Sequence, residues 1–364
     1  MPPRKKNQTV RAATLADVGR AAGVSAMAAS AVLNGAKTSS RISPGTRQRI
    51  LKAAARLSYR PNIAARALAN RRMHAIGVAA VIDGADLNHY FLEVFNGILA
   101  AAARHEQNTT VFTLHDWNHD IARLHGFCDG RIDGLVLVAP VFTRNKTVLP
   151  THTPFVSIHA NCPIPHVVNV ESDEEHGAYE MVRHLVAQGH RRIMHITGPA
   201  GLLGTNRRIS GYKRALAAAR IPFDARLMVA ANFHAQSGHD AVHGWLRRHA
   251  GEPLPHAVFC VNDSVAVGCL EALAEVGLRV PDDISVAGFD DSLAARTTVP
   301  QLTTVRQPLR AMGQRAVELL LARIAEGTST PARAGKPVVF PVDLVPRASV
   351  GAPPVVARLV PAQA

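Results

Sequence analysis

The sequence predicts an α/β protein built from an all-α amino-terminal helix-turn-helix module and a larger two-lobed, doubly wound α/β domain. Three observations lead there. All of the net charge of +14 lies in the first fifth of the chain. The first sixty or so residues carry only short helical patterns with caps and stops. From Ile76 onward, apolar runs of strand length alternate with amphipathic helical patterns, the signature of parallel sheets covered by helices.

Residues 1 to 12 are basic, polar and aperiodic, and are expected to form a disordered arm. Thr14 followed by Asp17 gives a capping-box start, and Leu15, Val18 and Ala22 then share one face before Gly23 breaks the helix. Ser25 can cap a second helix from Ala26 to Leu33, which stops at Asn34-Gly35. The short connection through Gly23 makes the pair a helix-turn-helix. Ser43 as cap and Pro44 at the first helical position start a third helix, through Ile50, Leu51, Ala54 and Leu57, that ends near Tyr59. The module is thus expected over 13–60. Residues 61–72 read as a hinge whose helix, Asn62 to Ala69, is too short to be stable alone.

The expected strands of the larger domain, 73–347, are Ile76–Ile82, Ile132–Val138, Phe155–Ile158, Arg192–Thr197, Ala257–Val261 and Ile284–Gly288. Helices are expected near Phe91–Arg104, Asp173–Ala187, Arg207–Ala219, Gln236–His249 and Ser264–Val276. A body of this size should divide into two lobes with a ligand cleft at the carboxyl ends of the strands. Residues 348–364, rich in Pro, Ala and Val, read as a flexible tail.

The charge distribution bears on function. The first 72 residues hold 15 Lys and Arg against one acid, Asp17, whereas the remaining 292 hold 26 of each sign. A compact positive module on a neutral body is the footprint of a nucleic-acid binder, because phosphate contacts release condensed counterions. No run of eighteen apolar residues occurs, and the basic start is not followed by the apolar stretch of a signal peptide. A cytoplasmic, nucleoid-associated protein with no membrane partner is expected. Cys128, Cys162, Cys260 and Cys269 are scattered without metal-site spacing and read as reduced core residues.

Enzyme signals are weak. His239-Asp-Ala-Val-His243 places two histidines one helical turn apart but has Asp where a zinc protease needs its general base. Gly198 to Gly204 lacks the Lys-Ser/Thr of a phosphate loop and reads as a loop at the cleft mouth. Asp290 and Asp291, adjacent in sequence, would point to opposite sides of an extended segment. Neither catalysis, nor a metal site, nor a cofactor is expected.

The residues also resemble a known family, the LacI/GalR transcriptional regulators, from about Thr14 to Pro346. The resemblance is carried by Thr14-Leu-Ala-Asp-Val-Gly-Arg-Ala-Ala-Gly-Val-Ser25, Val32-Leu-Asn-Gly35, Ser43-Pro44 and Tyr59-Arg-Pro-Asn62 in the first part. In the second it is carried by Gln188-Gly-His-Arg-Arg-Ile193, Thr197-Gly-Pro199, Arg208 with Gly211-Tyr212, Asn262-Asp263, Asp282-Asp-Ile-Ser-Val286 and Gly288-Phe-Asp-Asp291. It implies a periplasmic-binding-protein-like body and a homodimeric DNA-binding regulator, expected to repress from a palindromic operator and to sense a sugar or sugar derivative. A sugar-binding transport protein without DNA function is the alternative; it would need a signal peptide and would have no use for the basic module.

The resemblance implies that the second helix enters the major groove, with Ala26, Met27 and Ala31 nearest the base edges. Family members often carry longer polar or Arg side chains there. Ala and Met cannot make bidentate contacts, so more of the specificity should rest on hinge and shape. Thr14, Leu15, Ser25, Ser30, Asn34, Arg41, Arg47 and Tyr59 complete the expected surface, with Ser25, Ser30, Asn34, Arg41 and Arg47 as phosphate contacts, although each of these five could equally be an ordinary surface residue. In the hinge, Leu68 occupies the position of a minor-groove wedge, with Asn62, Ala65 and Arg66 alongside. For the effector, the resemblance implies Arg208, Asn262, Asp290 and Gln307 as polar contacts, and Tyr90, Phe91 and Phe233 as aromatic walls. His159 stands where many relatives have an acid or amide. Such a set suits a polyol, since forked donors and carboxylates match hydroxyls and aromatic faces match a pyranose ring.

Overall fold

The computed structural model describes residues 12–34, 41–60, 72–82, 89–142, 149–327 and 336–354. The chain separates into two compact units, 1–73 and 74–364. The expected hinge contacts Asn62, Ala65, Arg66 and Leu68 lie outside the described residues.

In the first unit, helices α1 (Leu15–Ala22), α2 (Ala26–Asn34) and α3 (Pro44–Arg56) enclose a small core of Val18, Ala22, Ala29, Ile50, Ala53 and Ala54. Each start has its cap. Thr14 and Asp17 form a reciprocal capping box, Ser25 Oγ accepts the Ala28 N–H at 3.1 Å, and Ser43 Oγ accepts the Thr46 N–H at 3.2 Å ahead of Pro44. Gly23 ends α1 with φ +67°, a left-handed conformation that a side chain would oppose, and so turns the chain into α2.

The second unit holds two parallel sheets. The first lobe begins with β1 (Ala75–Val81), α4 (His89–Arg104), β2 (Asn108–Leu114), α5 (Ile121–Phe127), β3 (Gly134–Val138), β4 (Phe155–Ile158) and β5 (Val168–Ser172). The second lobe follows with α6 (Glu174–Ala187), β6 (Ile193–Thr197), α7 (Leu203–Ala218), β7 (Met228–Ala230), α8 (Ala235–Arg248), β8 (Ala257–Cys260), α9 (Asp263–Glu275), β9 (Ser285–Ala287), α10 (Leu293–Thr297) and β10 (Thr304–Arg306). The chain then returns to the first lobe with α11 (Leu309–Glu326) and β11 (Val338–Phe340), and crosses again to β12 (Asp343–Val345).

The first sheet has the order β11-β5-β4-β3-β1-β2 and the second β7-β6-β8-β9, while β12 pairs antiparallel with β10. Strands β3 and β4 are buried along their whole length, as expected of central parallel strands. Three crossings join the lobes, so cleft residues can be supplied by strand ends, helix starts and the crossing segments themselves. The four cysteines are free and buried.

Two readings of the sequence need correction. The flexible tail does not begin at residue 348: Ser349 is fully buried, its N–H donates to the Gln301 carbonyl, its carbonyl accepts the Val286 N–H at 2.9 Å, and its Oγ donates to the Val286 carbonyl at 2.6 Å. Backbone pairing along the edge of β9, beside Thr303, outweighs the loop-like composition. The glycine-rich stretch is a loop only in part, because Leu203 and Gly204 already belong to α7.

Candidate functional site

A cavity of about 400 Å³ lies between the lobes of the second unit, within the usual size for a small-molecule site. Tyr90 and Phe91 come from α4, His159 follows β4, Arg208 lies on α7, Phe233 precedes α8, Asn262 caps α9, and Asp290 follows β9. These seven residues line one space. Gln307 stands behind the wall: its Nε2 donates to Asp290 Oδ1 at 2.6 Å, and its Oε1 accepts from Ser172 Oγ.

The cavity also recruits residues that the sequence reading did not single out, chief among them Glu174, Arg207, Thr205, Asn161, Trp117 and Asp116. Glu174 is the first residue of α6 and reads in sequence as an ordinary acid of a helix's first turn. Here it is buried and accepts from Arg208 at 2.8 Å, while Arg207 bonds Glu171 at 2.9 Å. Burial alone would raise the Glu174 carboxyl, but Arg208, His159 and Arg207 together hold it below its ordinary value. The approach of α7 is possible because position 204 is glycine: a Cβ there would lie 2.7 Å from Glu174 Oε1.

Arg208 packs over the Phe289 ring at 4.2 Å and donates to the Val261 carbonyl at 2.5 Å. Its Nε and the Thr205 Oγ1 are buried and have no partner in the protein. Such groups are costly unless something satisfies them, and both residues line the cavity.

A polar chain runs around the back of the site. Tyr90 Oη meets His159 Nδ1 at 2.8 Å, His159 Nε2 meets Ser172 Oγ at 3.1 Å, and Ser172 leads through Gln307 to Asp290. It links the first lobe, two crossing segments and the second lobe. Burial lowers the His159 pKa, with Glu174 opposing, and burial raises the Tyr90 hydroxyl, so both are neutral at neutral pH. Burial also pushes Asp290 up to about 8, and nearby Asp263 and Glu174 add to the effect against the pull of Arg208. Asp290 has φ +124°, and His159 and Ala139, which follow β4 and β3, have φ +51° and +50°. The backbone is held in unusual conformations where it turns into the site. Asp291 faces away and pairs with Arg306 and Arg347.

In the first unit, Ser25, Ala26, Met27, Arg41 and Arg47 are exposed, Met27 to 70%. Thr14, Ser30, Ala31 and Asn34 are half-buried. Leu15 and Tyr59 pack on the small core. Thr14 is engaged in the capping box, and Asn34 Nδ2 donates to Ser30 Oγ at 3.3 Å.

Two parallel α/β lobes around a polar and aromatic cleft, preceded by a helix-turn-helix unit, define a regulator that joins a periplasmic-binding-protein-like domain to a DNA-binding head. Residues 14–62 match the profile of bacterial regulatory proteins of the lacI family, and residues 182–350 match that of the periplasmic binding protein-like domain. The chain is 31% identical over 320 residues to the HTH-type transcriptional repressor PurR of Vibrio atlanticus, covering 86% of this chain and 92% of that protein. It is 29% identical over 311 residues to the HTH-type transcriptional regulator DegA of Bacillus subtilis, covering 82% of this chain and 88% of that protein. Among solved structures it resembles the lac repressor dimer bound to operator and the anti-inducer ONPF, with TM-score 0.78 and 28% identity over 94% of this chain and all of that one. It also resembles the complex of the transcriptional regulator CelR with cellobiose, with TM-score 0.67 and 28% identity over 93% of this chain and 99% of that one. The chain belongs to the lacI family of DNA-binding transcriptional regulators, which are not enzymes. Among the described residues, no helix is long and apolar enough to cross a membrane.

Proposed function

We propose that this regulator binds a palindromic operator as a homodimer, represses from it, and responds to a sugar or sugar derivative held between the two lobes. The observation that carries the ligand class is the cleft chemistry. Aromatic walls from Tyr90, Phe91, Trp117 and Phe233 stand beside Arg208, Glu174, Asn262 and Asp290, with the unpartnered Arg208 Nε and Thr205 Oγ1 among them. An aromatic face covers the apolar side of a pyranose, and close-set donors and acceptors match its hydroxyls. The cellobiose complex of CelR and a family member from Enterococcus faecium with bound ribose support the same class.

On the DNA side, Ala26, Met27 and Ala31 face the major groove, Ser25, Ser30, Asn34, Arg41 and Arg47 meet phosphates, and paired Leu68 side chains wedge the minor groove. The ligand acts on lobe orientation and so on the fraction of dimer competent for DNA; by linkage, operator and ligand change each other's affinity by the same factor. The test is selection of bound sequences from a random duplex pool, followed by anisotropy titration of the recovered site with mono- and disaccharides. A palindrome whose affinity falls in Leu68→Ala and shifts with one sugar supports the proposal. A site bound equally well by the Leu68→Ala protein, or unaffected by every sugar that binds the cleft, overturns it.

A further inference from the structure

The chemistry left over by the regulator lies on the outer face of the second lobe, where α8 and α9 pack side by side. Two glycines bring the helices into backbone contact: a Cβ at Gly238 would lie 2.2 Å from the Val265 carbonyl oxygen, and one at Gly268 would lie 1.9 Å from that of Ala235. With the helix starts locked this closely, His239 and His243 of α8 face Glu275, the last residue of α9. His239 Nε2 lies 3.0 Å and His243 Nε2 2.8 Å from the same carboxylate oxygen, Glu275 Oε2. The two rings stand 4.6 Å apart at 50°.

The geometry points to a three-residue site for a zinc-class divalent transition cation, with His239, His243 and Glu275 as ligands and water in the remaining position. One donor atom from each residue falls within 4.8 Å of the others, and no other such group occurs among the described residues. Donors on a tetrahedral zinc ion at about 2.0–2.1 Å stand roughly 3.3 Å apart, and the two nitrogen–oxygen separations, 3.0 and 2.8 Å, lie close to that spacing. Two imidazoles and one carboxylate suit zinc, nickel or copper better than calcium or magnesium, which prefer all-oxygen sets.

The residue that spoils the protease motif has a place in this arrangement. Asp240 Oδ1 lies 3.4 Å from His239 Nδ1 and is itself held by Gln236 Nε2 at 2.9 Å. A carboxylate behind a ligating imidazole fixes its orientation and raises its basicity. An ion held there ties together two helices whose amino-terminal ends, at Phe233 and Asn262, border the effector cleft. The side chains of His239, His243 and Glu275 retain 23%, 19% and 58% of their exposure, so an ion can enter from solvent.

The full-length protein, freed of metal by chelation, should take up about one equivalent of zinc in equilibrium dialysis, and zinc should raise its thermal midpoint. His243→Gln and His239→Gln should each weaken that uptake at least tenfold and abolish the midpoint shift, while His105→Gln, which alters an exposed histidine elsewhere, should leave both unchanged. Cobalt as a probe should give the visible spectrum of a four-coordinate site in the wild type and not in His243→Gln. Retention of metal-free midpoints and operator binding by the variants shows that they are folded. Zinc uptake that is absent in the wild type, or equal in wild type and both histidine variants, overturns the proposal.

Discussion

Asn161 of the first lobe caps a helix of the second: its Oδ1 accepts the N–H of Leu203, the first residue of α7, at 2.5 Å. Leu202 offers no side-chain cap, so this helix start is completed only when the lobes are together. Asn161→Ala should remove about 1 kcal/mol from the closed arrangement and weaken effector binding about fivefold. Amide exchange at Leu203 should accelerate in the ligand-free variant; an unchanged rate would show that the bond does not hold the cleft.

Arg208→Met should cost far more than an exposed Arg. It takes from the Glu174 carboxylate, which is 4% exposed as a residue, its 2.8 Å partner and leaves only Arg207 at 3.7 Å; breaking one half of a buried pair costs about 3–5 kcal/mol. Glu174→Gln in the same chain should recover much of that loss, because no charge is then left buried. Urea unfolding of the two single variants and the double variant measures the coupling, and strictly additive losses would contradict a direct pair.

Asp290 gives stability a definite pH dependence. Its carboxyl rises from 3.8 to about 8 in the fold, chiefly through burial. The folded protein therefore holds the proton more tightly than the unfolded chain. That contribution is complete below pH 3.8 and is lost as pH rises through about 8. Asp290→Asn, neutral throughout, should flatten the decline by more than ~1 kcal/mol between about pH 5 and about pH 8. Parallel pH profiles for the wild type and the variant would disprove this assignment.

For the DNA-binding head, Arg47→Ala should reduce the slope of log affinity against log salt by about 1.8 for the dimer, as expected for one lost phosphate contact per subunit. Met27→Ala should leave that slope unaltered, because Met27 offers only apolar contact with a thymine methyl. A salt slope unchanged in Arg47→Ala would remove Arg47 from the interface.

The head was legible because local rules settle it. Thr14 with Asp17, Gly23, Ser25 and Ser43-Pro44 mark helix starts and stops that need no distant partner. The central strands were legible from their apolar runs. Strand β2 was not, since Asn108, Thr109, Thr110 and Thr113 put polar residues on both faces of an edge strand. Strands β10 to β12 are three residues each, too short to show a period. In the cleft, Tyr90, Arg208 and Asp290 came from a family likeness. Glu174 and Asn161 stayed hidden, because one resembles a helix-start acid and the other a loop residue until the opposite lobe is in place.

The interleaved crossings have a consequence for the order in which the polypeptide matures. The first lobe lacks α11 and β11 until residue 340 has been made, and in the second lobe the Val286 N–H on the edge of β9 lacks its acceptor until Ser349. The head, whose described helices end at Arg56, requires none of this. On the ribosome the basic DNA-binding unit can therefore fold while both sensing lobes are still unfinished, and the competence to answer a ligand is acquired last.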